Sequence, residues 1–305
     1  MPSRQGSIHL FRLAGVDVYL HWWWFLIAFY EIRGGMGTYS SVAWNIIEYL
    51  CLFLIVLTHE FGHVLACRQV GGRADRIVLW PLGGVAYVDP PPRPGAELWS
   101  IAAGPLVNVA LIPVLGGLYY VGRSVGLEGT LPDVYKLIQA VFWIDLGLLV
   151  FNILPIYPLD GGQILRALLW FVIGRARSLL VATIFGFIGV AGFIALAFWK
   201  QSLWYGALAV FMLMNCWSGL QHARFLLKLS KLPRRQGYSC PSCKTAPPLG
   251  DYWKCGRCGQ SFDMFQSGAV CPYCSTQYSS VPCLDCGRQH PQQEWAASSL
   301  VPAGL

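Results

Sequence analysis

Apolar residues in this chain fall into long runs, longer than the short alternating groups of a soluble core. Six of them are candidates for crossing a membrane: roughly Val18 to Tyr30, Val42 to Cys67, Leu98 to Gly122, Leu137 to Leu154, Ser178 to Trp199 and Leu203 to Leu220. A helix needs about 20 apolar residues to span the hydrocarbon core. The third run has 25 residues and no charge, the fifth has 22, and the fourth is interrupted only by Asp145. The first is the shortest and has no small-residue cleavage site behind it, so it reads as an uncleaved anchor.

Between the second and third runs the pattern changes. Ile77 to Val88 has strand composition broken by Pro81 and by Gly83-Gly84, which predicts a β-hairpin; a plain loop is the alternative. An open sheet edge is not tolerated in lipid, so the hairpin must pack on protein or lie at the interface. Its edge offers a place for an extended peptide to add as a further strand.

Composition agrees with a membrane protein. Of 305 residues, 55% are hydrophobic and only 12% charged, against roughly 25% charged in soluble domains. The net charge of +7 fits basic loops on one side of a bilayer better than a nucleic-acid surface. With the N-terminus cytoplasmic, only Arg33, Arg123, Lys136 and Lys200 fall on the far side among the loops of the membrane body. That bias predicts cytoplasmic N- and C-termini.

The second run carries the chemistry. His59, Glu60, Phe61, Gly62 and His63 lie near its end. On a helix the two histidines, four residues apart, share a face and can bind one zinc, while Glu60 is placed to take a proton from the attacking water. Arg68 marks the cytoplasmic end, so His59 lies about 13 Å deep at 1.5 Å per residue. A catalytic zinc usually has three protein ligands. After the fourth run, Pro155 and Pro158 break the helix and Asp160 follows, with Gly161-Gly162 permitting close backbone approach. A carboxylate at that depth is costly unless paired or bound to metal, and it reaches the same depth as the histidines.

These two segments, with Pro81 to Val88 and with Gly104-Pro105 followed by Asn108, resemble the site-2 protease family of intramembrane zinc metalloproteases over roughly residues 15 to 225. The resemblance implies His59, His63 and Asp160 as ligands of one catalytic zinc and Glu60 as the base. It implies a transmembrane protein substrate, often a membrane-tethered regulator, cleaved within or near its membrane segment. Asn152 and Asn108 are the two candidates it offers for stabilising the oxyanion; the alternative is that both only satisfy backbone groups at helix breaks. Gly83 and Gly84 fall in the segment that resembles the family's glycine-containing hairpin, the candidate substrate-binding edge. A catalytically dead scaffold and a metal transporter or sensor are the competing functions; intact Glu60 and Asp160 argue against the first.

Beyond about residue 230 the composition shifts. Four Cys-x-x-Cys pairs follow, Cys240/Cys243, Cys255/Cys258, Cys271/Cys274 and Cys283/Cys286. Each pair can grip a soft ion, and two pairs close a tetrahedral site. The tail resembles a double zinc ribbon holding two structural zincs. Taken in chain order, the first two pairs share one ion and the last two the other. Disulfides are the rival, and they need an oxidising compartment. The tail's basic residues, Lys244, Lys254, Arg257 and Arg288, are scattered, so nucleic acid is an unlikely partner and a cytoplasmic protein a better one. Lys228 to Arg235 is a candidate for contact with anionic lipid.

The expected fold is thus an α-helical polytopic membrane protein of about six spans with a small β-hairpin after the catalytic helix, residues 1–230, followed by a zinc-ribbon domain, residues 238–290.

Overall fold

The computed structural model describes residues 6–80 and 83–297. Pro81 and Arg4 lie outside the described residues. The chain forms two units, Met1–Ser218 and Gly219–Leu305, and the division falls inside the last long helix.

The first unit runs β1 (Ser7–Leu13), β2 (Val16–His21), α1 (Trp23–Gly34), α2 (Val42–Gln69), β3 (Arg73–Trp80), β4 (Gly83–Asp89), α3 (Pro94–Ser124), α4 (Leu127–Thr130), α5 (Pro132–Ile153), α6 (Asp160–Ile173), α7 (Arg175–Lys200) and the first part of α8 (Leu203–Ser230). Among the described residues, α2, α3, α5, α7 and α8 are long and apolar enough to cross a membrane. The 28 residues of α2 make about 42 Å of helix at 1.5 Å per residue, more than the roughly 30 Å hydrocarbon core requires.

The first expected span is not one helix. Val18 to His21 belong to β2, and α1 has only 12 residues. The reason is the local period: Val16, Val18 and Leu20 alternate with Asp17 and Tyr19, and it is the alternate apolar set that is buried. β2 pairs with β1 antiparallel and with β3 parallel. It climbs alongside α2. At one end Arg68 donates to the Ala14 and Gly15 carbonyls, and just beyond the other Trp24 packs edge-on against Tyr49 and Phe53.

The hairpin expected over Ile77 to Val88 is present as β3 and β4, but it is half of a four-stranded sheet in the order β1-β2-β3-β4. Val16, Val18, Ile77 and Leu79 close its core against Leu57, Val64 and Cys67 of α2. The sheet backbone is thereby sheltered by protein on that face, as a low-dielectric setting demands. Helix α3 lies against α2 so closely that a Cβ on Gly62 would come 2.7 Å from the Ala103 carbonyl oxygen. An ion pair between Glu97 of α3 and Arg166 of α6, at 2.6 Å and largely buried, ties those helices together.

The second unit holds two short antiparallel hairpins, β5 (Trp253–Lys254) with β6 (Ser261–Phe262) and β7 (Val281–Pro282) with β8 (Gln289–His290), then α9 (Gln292–Ala297). Its core is Trp253, Phe262, Met264, Phe265 and Trp295 packed among the cysteines. Arg234 forks onto both oxygens of Asp285 at 2.7 and 3.1 Å, and Arg235 reaches Asp263 at 2.6 Å. Two of the basic residues expected to meet anionic lipid are therefore engaged inside this unit, whereas Lys228 and Lys231 are exposed.

Candidate active site

Helix α2 delivers His59 and His63 to one face, four residues apart and both buried. The loop after α5 delivers Asp160 as the first residue of α6, where the unpaired N–H groups of a helix start favour a carboxylate. Gly161 and Gly162 make that approach possible: a Cβ on either would collide with backbone of Ile153 to Tyr157. The Asp160 Oδ2 lies 3.1 Å from His59 Nε2 and 3.4 Å from His63 Nε2, and the two Nε2 atoms are 3.2 Å apart.

The far side of each ring decides what these atoms can hold. His63 Nδ1 faces the Ser100 carbonyl oxygen at 2.9 Å, and His59 Nδ1 faces the Asn108 side-chain oxygen at 2.5 Å. Both partners accept, so both Nδ1 atoms carry the proton and both Nε2 atoms present lone pairs. Two lone pairs and a carboxylate oxygen converging within 4.8 Å repel one another unless a cation lies between them. The donor set, two imidazoles and one carboxylate, is that of a catalytic zinc site.

Glu60 turns the other way, toward β4. Its Oε2 accepts the Ala86 N–H at 2.9 Å, and its carboxyl lies so close to Gly84 that a Cβ there would collide with it. Since β4 is the edge of the sheet, the strand's outer side borders the base. Gly83, beside it, has φ +136, a region only glycine adopts freely.

Gly104 of α3 lies directly against the His pair. A Cβ there would collide with the His63 ring and come 2.8 Å from His59 Nε2. Gly104→Ala is expected to push the imidazoles out of register and cut cleavage about 10²-fold, the usual cost of a 1 Å misplacement. Turnover of a transmembrane substrate, together with zinc content, checks this.

Asn108 and Asp145 form a buried chain behind the site. Both are fully buried, and the Asn108 Nδ2 donates to Asp145 Oδ1 at 2.6 Å while its oxygen faces His59. Asn152 sits half-buried in the last turn of α5, with no side-chain hydrogen bond among the described residues. Ser100 escapes sequence reasoning because it acts through its backbone carbonyl, which any residue supplies.

In the tail the eight cysteines form two groups, but not in chain order. Cys240, Cys243, Cys283 and Cys286 make one, and Cys255, Cys258, Cys271 and Cys274 the other. The pairing expected from sequence, first with second and third with fourth, is wrong: one site is nested inside the other. Outside contacts bring the ends together. Arg234 holds Asp285, and Ser242 meets His290 at 2.7 Å, which closes the first knuckle onto the last. Sulfur separations across each group are 3.5 to 3.7 Å. A disulfide is about 2.05 Å, whereas four sulfurs about 2.3 Å from a tetrahedral zinc lie about 3.8 Å apart. Cys255 is prepared for that role: the Tyr278 hydroxyl, donating at 3.1 Å, and then the Cys258 and Arg257 N–H groups hold its thiol down at about 5.

Fold and site together define a mostly helical protein with membrane-length apolar helices and a buried group of two histidines and one carboxylate that could hold a metal ion, beside a glutamate, followed by a cysteine-rich module. The profile of peptidase family M50 matches residues 47–196. Zinc metalloprotease MJ0392 of Methanocaldococcus jannaschii is 32% identical over 182 residues, covering 59% of this chain and 50% of that protein. Stage IV sporulation protein FB of Bacillus subtilis is 37% identical over 118 residues, 38% of each chain. The solved site-2 protease from Methanocaldococcus jannaschii superposes with a TM-score of 0.51 at 26% identity, over 70% of this chain and 95% of that one. Residues 47–196 of the chain thus match peptidase family M50, and the chain is similar to the zinc metalloproteases of the site-2 protease family. It spans about half the length of the first of these curated relatives.

Proposed function

We propose that this protein is an intramembrane zinc endopeptidase that hydrolyses a peptide bond within or near the transmembrane segment of another membrane protein, a membrane-tethered regulator being the class the family resemblance favours. The observation that carries the reading is the convergence of His59, His63 and Asp160 on helices that join or flank membrane-length apolar segments, with Glu60 adjacent.

His59, His63 and Asp160 hold the metal, which when bound acidifies a water and polarises a carbonyl. Glu60 accepts the proton of the attacking water and delivers it to the leaving amine. To do so its carboxylate swings from the Ala86 N–H toward the His pair. Asn152 is the better candidate for hydrogen-bonding the developing oxyanion, because the amide of Asn108 is already engaged on both sides. The substrate, unwound to an extended form, lies along the free edge of β4 at Gly83 and Gly84, where backbone hydrogen bonds position it without reading its sequence. The two cysteine groups each hold a structural zinc, and the module offers a surface to a cytoplasmic protein. The basic bias of the loops supports cytoplasmic termini.

The test is cleavage of a transmembrane substrate by the purified protein in detergent or vesicles. Asp160→Ala is expected to lose the membrane-embedded zinc and all measurable turnover. Unchanged zinc content and activity in that variant would remove Asp160 from the ligand set.

A further inference from the structure

Asp145 is a carboxylate in the middle of α5, fully buried among apolar helices. Such a group is unfavourable in a bilayer and is kept where it serves function. Only half of it is used: Oδ1 accepts from Asn108 at 2.6 Å, and Oδ2 is buried without a hydrogen-bond partner among the described residues. Stability does not explain a half-satisfied carboxylate. What Oδ1 does for Asn108 can.

A side-chain amide is nearly symmetric, and either end can face a given neighbour. Asn108 stands between His59 Nδ1 on one side and Asp145 on the other. The Asp145 Oδ1 that faces the amide accepts from it, so it draws the Asn108 NH2 to itself and turns the amide oxygen toward His59. That oxygen accepts the Nδ1 proton, and with the proton there the Nε2 lone pair is left for the metal. In the flipped amide, NH2 would face Nδ1, favour the proton on Nε2, and block the ligand. We propose that Asp145 is a positioning residue for the metal centre, acting through Asn108 to set the amide orientation, and hence the tautomer, of His59. This rests on the assignment of His59 as a ligand.

The experiment is zinc retained per full-length chain after equilibration against graded chelator. His59→Ala gives the baseline left on the cysteine module. If His59→Ala loses no zinc, the ligand assignment itself fails, which separates that failure from the failure of this inference. Asp145→Asn offers an oxygen or an NH2 equally and leaves the Asn108 amide without a fixed direction; Asp145→Leu strands its NH2. Both are expected to weaken zinc retention roughly 10- to 100-fold, the usual range for lost partners of ligating histidines. The exchange Asn108→Asp/Asp145→Asn places an acceptor against His59 and an NH2 behind it, restoring the hydrogen-bond direction. It is expected to recover zinc retention to within a few-fold of the unaltered protein. Unchanged retention in Asp145→Asn and Asp145→Leu would overturn the inference. So would failure of the exchange to recover what the single substitutions lose, because a residue that matters only for packing or folding gains nothing from a reversed hydrogen bond.

Discussion

Glu60→Gln is expected to retain the membrane-embedded zinc and lose nearly all turnover. The amide is the same size and still reaches the Ala86 N–H that Glu60 accepts at 2.9 Å, so the fold around β4 has no reason to change. It cannot take a proton from water, however, and a positioned general base is worth about 10²- to 10⁴-fold. Glu60 is also not among the converging ligand atoms, so zinc content stays with His59, His63 and Asp160. The measurement pairs zinc per chain with cleavage of a transmembrane substrate in detergent. Near-normal cleavage by Glu60→Gln would remove the base from the mechanism. The same variant, unable to complete the reaction, is the natural trap for the substrate.

Replacing Cys283 and Cys286 by serine is expected to remove the same single zinc as replacing Cys240 and Cys243, and replacing all four is expected to remove no more. The inner group, Cys255, Cys258, Cys271 and Cys274, should keep its ion. Pairing in chain order predicts the opposite: the two double variants would then empty different sites, and the fourfold variant would lose two zincs. The effect on stability is expected to be large. Structural zinc contributes about 10–16 kcal/mol in small fingers, and the hairpins here are only two residues long on each strand, too short to stand alone. Metal analysis of the variants distinguishes the schemes, and loss of Trp253 and Trp295 burial on chelation, read by fluorescence, reports unfolding.

Much of this was legible in the chain itself. Unbroken apolar runs announce membrane helices because lipid leaves the backbone no partner but itself, and α2, α3, α5, α7 and α8 follow those runs closely. The spacing of His59 and His63 is a statement about helix geometry, and Asp160 is marked by its isolation among prolines, glycines and apolar residues. Four Cys-x-x-Cys pairs mark the tail as a candidate metal module, because paired thiols suit a soft ion. The first run went astray because a short apolar stretch has no length with which to separate strand from helix; its period of two, at Val16, Val18 and Leu20, was the available signal.

Tertiary structure decided what depends on distant neighbours. Which cysteine pairs come together is set by contacts such as Arg234 with Asp285, across 51 residues of chain, and three similarly short gaps carry no preference between nested and sequential closure. That Gly104 is a glycine matters because a second helix carries the His pair against it. Asn108 and Asp145, each readable alone as a stray polar residue in an apolar run, become one unit only when α3 and α5 bring them to 2.6 Å behind His59. The sequence by itself determined which side chains can do the chemistry, since ligand type and helical spacing are local properties. Their orientation, protonation and partners were decided by packing, because a hydrogen bond's direction is a property of the two groups that share it.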